Sequence, residues 1–186
     1  AALLALNALW RLDAGERELA ELGLDLGADV PACLRGEPLY AAGVGEVIDP
    51  APALPHMGLV LVNPNLPVST AAVFSAFDGR FTGNGRFDAA FGGMAAFAAG
   101  LAERRNDLME PARKIEPEID AVLGALAAVD GCLLARLSGS GPTCFGLFEA
   151  EQNALGAAEK IARAHPDWWV CPTHFLECAE TSGKVS

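Results

Sequence analysis

Apolar residues recur with a helical period at the start of the chain. Leu3, Leu6 and Trp10 stand at i, i+3 and i+7, and Leu19, Leu22 and Leu26 repeat the spacing. Both stretches predict amphipathic helices, the second entered through Asp13-Ala14-Gly15 and closed near Gly27. Pro31 suits a first helical turn and holds Val30 out of the α region, so Asp29-Val30-Pro31 predicts the entrance to a third helix. Gly43-Val44-Gly45 separates residues 37–42 from 46–48, the pattern of a short hairpin.

A Pro- and Ala-rich stretch at 49–55 is the best candidate boundary. Beyond it, the continuous apolar run 57–63 predicts a buried strand, and 69–77 a helix. The Gly-rich stretch 78–86 predicts a loose loop, and 87–104 a helix. Asn106 is placed to cap another helix running toward Lys114. Ile119, Val122, Leu126 and Val129 mark a further helical face. Strands over 131–137 and 143–148 are joined by Ser138-Gly139-Ser140-Gly141-Pro142, and a helix over 151–164 and a strand over 168–176 follow. The order β-helices-β-β-α-β predicts an α+β sandwich close to a ferredoxin-like arrangement, with no internal repeat.

Composition narrows the function. Of 186 residues, 52% are hydrophobic and 20% charged, too apolar a mixture for intrinsic disorder. A net charge of −11 argues against a broad phosphate-binding face for a nucleic-acid polymer, while leaving room for an anionic small molecule at a local site. The longest apolar stretch, 89–102, falls short of the roughly 18 residues of a membrane span and predicts a buried helix. Without a basic start or a small-residue cleavage site, the expected compartment is the cytoplasm and no membrane partner is expected. Five cysteines, an odd number set mostly in apolar contexts, predict buried free thiols.

The small residues of Leu137-Ser138-Gly139-Ser140-Gly141-Pro142-Thr143 could let backbone N–H groups converge on an anion, or could simply make a turn. Asp29 stands in an otherwise apolar stretch, where a carboxylate serves either as a general base or as a helix cap. Cys171, His174 and Cys178 are three soft ligands in one stretch, but no paired knuckle or fourth ligand completes a metal site, and a core strand with an incidental histidine is the better reading. His56 and His165 neighbour prolines and predict surface positions, with no partner for a nucleophilic triad. No Gly-x-x-x-x-Gly-Lys-Ser/Thr loop is present.

Six motifs occur in order: Ala5-Leu6-Asn7-Ala8-Leu9-Trp10, Leu26-Gly27-Ala28-Asp29-Val30-Pro31, Gly43-Val44-Gly45-Glu46, Val68-Ser69-Thr70 with Phe74, Asn106-Asp107-Leu108, and Leu137-Ser138-Gly139-Ser140-Gly141 with Cys144-Phe145-Gly146-Leu147-Phe148. Together they resemble the 4-diphosphocytidyl-2-C-methyl-D-erythritol kinases of the GHMP kinase superfamily. The resemblance implies ATP, with Mg2+, as phosphoryl donor to a hydroxyl of a small cytidine-diphosphate-linked substrate in non-mevalonate isoprenoid synthesis. It implies a two-domain α+β fold: residues 1–55 as part of a ribosomal-S5-like first domain, and 56–186 as a ferredoxin-like α/β sandwich carboxy-terminal domain.

In that family a glycine- and serine-rich ATP loop precedes the first helix, and earlier strands carry a catalytic lysine and cytosine-holding residues. The 186 residues begin after these positions and are expected to be inactive alone. Residue by residue, the resemblance assigns the catalytic aspartate to Asp29, which also contacts substrate. It assigns cytosine stacking to Phe74 and an apolar substrate contact to Val44. Gly139, Ser140 and Gly141 fall on the motif that closes against and supports the nucleotide loop. Some relatives carry a lysine where Ser75 stands, so a charge contact there is not expected. A homoserine or mevalonate-type sister kinase, which has no base to stack, and a non-catalytic ligand-binding module with Asp29 only a cap remain the alternatives.

Overall fold

The computed structural model describes residues 1–83, 85–87 and 90–175, which fall into two units. The first comprises Ala1–Ala53 with Arg86–Ala90. It holds α1 (Ala2–Trp10), α2 (Glu16–Leu26), α3 (Val30–Arg35) and the antiparallel hairpin β1 (Leu39–Ala42) and β2 (Val47–Pro50). No residue of α1 is buried, and Trp10 is 60% exposed. Helix α2 turns Leu19 and Gly23 inward; a Cβ on Gly23 would lie 3.0 Å from Val30 Cγ1, so glycine lets α2 and α3 pack closely. Gly36, at φ 64, ends α3 in the left-handed conformation that glycine adopts without penalty. Arg86 pairs with Asp49 and lies over the Tyr40 ring, whose hydroxyl accepts from the Phe87 N–H at 2.8 Å.

The second unit comprises Leu54–Gly85 and Phe91–Phe175. Its elements are β3 (Gly58–Asn63), α4 (Thr70–Ala76), α5 (Met94–Ala102), α6 (Met109–Ile115), α7 (Glu118–Ala127), β4 (Cys132–Leu137), β5 (Cys144–Phe148), α8 (Glu151–Ala164) and β6 (Trp169–His174). The four strands lie in the order β4-β5-β3-β6, and every neighbouring pair is antiparallel. That order is the one a ferredoxin-like fold requires. The run 58–62 is apolar throughout because β3 is central and covered on both faces. Val60 and Val62 join Ile119, Val122, Leu126, Phe148 and Ile161 in one core, while Leu59 joins Met57, Phe97 and Leu147 in another. Pro172 is tolerated in β6 because that strand is an edge.

Three expectations change. The helix expected over 87–104 begins at Met94, after the Gly92-Gly93 pair, with Gly93 at φ 135. Asn106 does not cap α6: the N-cap position is Leu108, and Asn106 instead accepts from the Leu108 N–H at 3.0 Å. The described residues of the Gly-rich stretch carry no helix or strand, yet the stretch is held at Thr82, which donates from its N–H and Oγ1 to Asp107 Oδ2 at 2.7 and 2.9 Å. Among the described residues, no helix is long and apolar enough to cross a membrane.

Cys33, Cys132, Cys144 and Cys171 are free thiols; Cys178 lies outside the described residues. Among the described residues only Cys144 is fully buried, Cys132 and Cys171 are half-buried, and Cys33 is exposed, so the expectation of buried thiols fails at Cys33. Burial, with a smaller contribution from Asp120, pushes the Cys144 thiol up to about 12. At pH 8 its thiolate fraction is on the order of 10⁻⁴. Iodoacetamide should therefore modify Cys33 in the native protein and Cys144 only after unfolding, as read by peptide mass spectrometry. Native modification of Cys144 at the rate of Cys33 would contradict this burial.

Candidate active site

Asp29 occupies the N-cap position of α3, the place where a carboxylate most often serves a structural purpose. Its side chain makes no capping hydrogen bond, and the helix is instead started by Pro31 in the first turn. The backbone is fixed without it: Val30 N–H donates to Gly27 O at 3.0 Å, and Cys33 N–H to Asp29 O at 3.1 Å. The exposed carboxylate opens on a cavity of about 310 Å3 shared with Leu3, Leu26, Val30, Cys33 and Leu34.

The hairpin turn reaches the same place. Gly45 adopts φ +98 and lies so near α3 that a Cβ there would stand 2.0 Å from the Ala28 carbonyl oxygen. This contact seats the turn carrying Val44 against the residue preceding Asp29. The Val44 side chain is 71% exposed, and its N–H donates to Glu46 Oε2 at 2.6 Å. Gly43, at φ +67, has that Glu46 carboxylate where a Cβ would stand.

In the second unit, Phe74 is 52% exposed rather than a core residue of α4; Val73 beside it fills the core. Ser69 caps the helix by accepting from the Ala72 N–H at 3.3 Å. One turn before Phe74, Thr70 Oγ1 lies 2.9 Å from Ser140 Oγ. The helix that carries Phe74 and the glycine-rich loop are thus joined through the first turn of α4.

The loop is a braced turn. Ser138 N–H donates to Thr143 O at 2.9 Å and Gly141 N–H to Ser138 O at 3.0 Å, which leaves the Gly139 and Ser140 N–H groups outside the turn's own hydrogen bonds. Gly139 has φ +56 with open space above it, and Gly141 has φ +82 with Leu137 Cδ1 where a Cβ would stand, at 2.8 Å. Asn106 Nδ2 donates to Leu137 O at 3.0 Å and Gly139 O at 2.8 Å, while Asn63 Nδ2 donates to Thr143 Oγ1 at 2.9 Å. Sequence reasoning missed Thr70 and Asn106 as loop supports; Thr70 stood inside a quoted motif, and Asn106 looked like a cap.

The remaining candidates are not brought together for chemistry. Cys171 and His174 are three residues apart on β6, so they point to opposite faces of the strand. His174 Nδ1 lies 3.4 Å from Glu151 Oε1, and His56 Nε2 reaches the same oxygen at 2.9 Å. Among the described residues, no group of three His, Cys, Asp or Glu side chains is arranged to hold a metal. His56 is exposed, while His165 is half-buried, stacked on Trp168 with ring centroids 3.8 Å apart.

Residues 83–167 match the family described as GHMP kinases C terminal. Over that stretch the chain is similar to the GHMP kinase superfamily. Within it, the curated relatives are 4-diphosphocytidyl-2-C-methyl-D-erythritol kinases. That of Paramagnetospirillum magneticum is 47% identical over 176 residues, covering 95% of this chain and 62% of the relative. That of Rhodospirillum rubrum is 46% identical over 176 residues, covering 95% and 58%. A crystal structure of a 4-(cytidine 5'-diphospho)-2C-methyl-D-erythritol kinase superposes with a TM-score of 0.69 at 32% identity, covering 94% of this chain and 62% of that one. Homoserine kinase from Cytophaga hutchinsonii shares the fold, at a TM-score of 0.67 and 15% identity, covering 92% of this chain and 61% of that one. The chain spans about three fifths of the length of the curated relatives it matches.

Proposed function

We propose that the whole protein is a cytoplasmic, ATP- and Mg2+-dependent kinase that phosphorylates a hydroxyl of 4-diphosphocytidyl-2-C-methyl-D-erythritol. The observation that carries this reading is Asp29: a carboxylate at the family's catalytic position, exposed at the head of α3 and free of the capping bond that would explain it structurally. ATP bound with magnesium supplies the γ-phosphoryl group. Asp29 accepts the proton of the attacking hydroxyl or orients that hydroxyl in line with the phosphorus. Val44 offers an apolar surface beside Asp29, and Phe74 a ring face for the cytosine. The Gly139 and Ser140 N–H groups fit a supporting role toward a phosphate or its loop. We assign residues 1–55 to the end of the GHMP amino-terminal domain and 56–186 to its carboxy-terminal domain.

The test is transfer of labelled γ-phosphate by the whole protein to the cytidine-linked substrate, with homoserine and mevalonate as competitors. Preference for either competitor overturns the assignment. Phe74→Ala sharpens it. Base stacking is worth about 1–3 kcal/mol, so the KM for the cytidine substrate should rise about fivefold or more. The KM for ATP should stay constant. Because Phe74 is half exposed, its melting temperature should hardly move. An equal rise in both KM values would show that Phe74 acts through packing.

A further inference from the structure

The second unit contains a cavity of about 510 Å3 into which Arg104, Arg105 and Arg136 all project, together with Asn106, Asp107 and Glu110. Three guanidinium groups around one space are notable in a chain of net charge −11. Arg136 rises from β4 and is half-buried. It uses Nη2 to donate to Leu101 O at 2.7 Å, and no ion pair among the described residues involves it. Desolvation lowers the pKa of its guanidinium, the cost of a positive charge held out of water with no counter-charge. Arg104 is oriented by Gly85 O and Gly100 O, to which Nε and Nη1 donate at 2.7 and 2.6 Å.

Two of the three guanidinium groups have an acid within ion-pair distance, Arg104 at 3.9 Å from Glu103 and Arg105 at 3.7 Å from Asp107. Asp107 Oδ2 is taken by Thr82, and the Thr82 backbone N–H above all holds that carboxyl below its usual range. Its Oδ1 is buried without a hydrogen-bond partner and lies 3.7 Å from Arg105 Nη2, beyond a hydrogen bond. Glu110 lies 3.8 Å from Lys114. Arg136 is thus the cation of the three that makes no ion pair among the described residues, and the planar fork of arginine suits oxyanions with two or more oxygens.

We propose that this cavity is an oxyanion site, separate from the Ser138–Gly141 loop, that takes the diphosphate group of a small molecule. Arg136 and Arg105 grip it, and Arg104 lends positive potential. Asn106 stands between the two places, since it follows Arg105 and donates to Leu137 O and Gly139 O of the loop.

Calorimetric titration of the 186-residue chain with inorganic pyrophosphate, and separately with methyl diphosphate, at constant ionic strength tests the site. Both should bind; the tighter of the two identifies free or esterified diphosphate as the occupant. R136Q should weaken binding at least tenfold and R105Q at least threefold. If circular dichroism shows R136Q unfolded, R136K and the exposed-position variant R105Q carry the test, each weakening binding at least threefold. Binding in R105Q and R136K equal to the parent overturns the site, as does no binding at about 10 mM ligand, tenfold above a millimolar dissociation constant.

Discussion

Asp29→Asn in the whole protein should fold normally and lower kcat by about 10²–10⁴, the usual scale for removing a general base. The substitution keeps size and shape and removes only the capacity to accept a proton. Asparagine is as good an N-cap as aspartate, and Asp29 makes no side-chain capping bond to begin with. The stability should therefore stay within the change expected of a neutral surface substitution, about 0.5 kcal/mol. Calorimetric melting beside steady-state kinetics separates the two roles. A variant with near-parental kcat removes Asp29 from the chemistry. One whose stability falls in step with its turnover makes it a structural residue of the α3 entrance.

Local patterns carried most of the fold. The apolar run in β3, the helical face of α7 and the whole span of α8 were legible because each buries a continuous stripe against the sheet. The errors came where a backbone preference overrode hydrophobic periodicity. Gly92-Gly93 delays α5 although Phe87 and Phe91 continue its apolar pattern, and Asn106 spends its amide on a loop 31 and 33 residues away instead of on the next helix. The candidate site was legible only as motifs. Thr70 and Ser140 are 70 positions apart and meet because β3 and β5 pair antiparallel, a register no local window contains. The exposure of Phe74 was equally hidden, since a phenylalanine beside Val73 on a short helix has the pattern of a core residue until the packing shows which of the two turns inward.

Gly45→Ala is the second large effect expected, and it acts at a distance from the reacting atoms. Two penalties coincide at this position. At φ +98 an alanine is strained by about 1–2 kcal/mol, and its Cβ would also lie 2.0 Å from the Ala28 carbonyl oxygen. That oxygen belongs to the backbone, so no rotamer change relieves the clash; the hairpin or the α3 entrance has to move by roughly 1 Å, a displacement able to cost about 10²-fold when it misplaces a catalytic group. Gly45→Ala should thus lower kcat/KM by about a hundredfold and stability by about 1–3 kcal/mol. Gly36→Ala separates the two causes, because Gly36 also has a positive φ, +64, but nothing within 4 Å of a Cβ. It should lose about 1 kcal/mol of stability and keep its turnover. If the two variants prove equally active, the hairpin turn does not set the position of Asp29, and the contact between Gly45 and Ala28 serves packing alone.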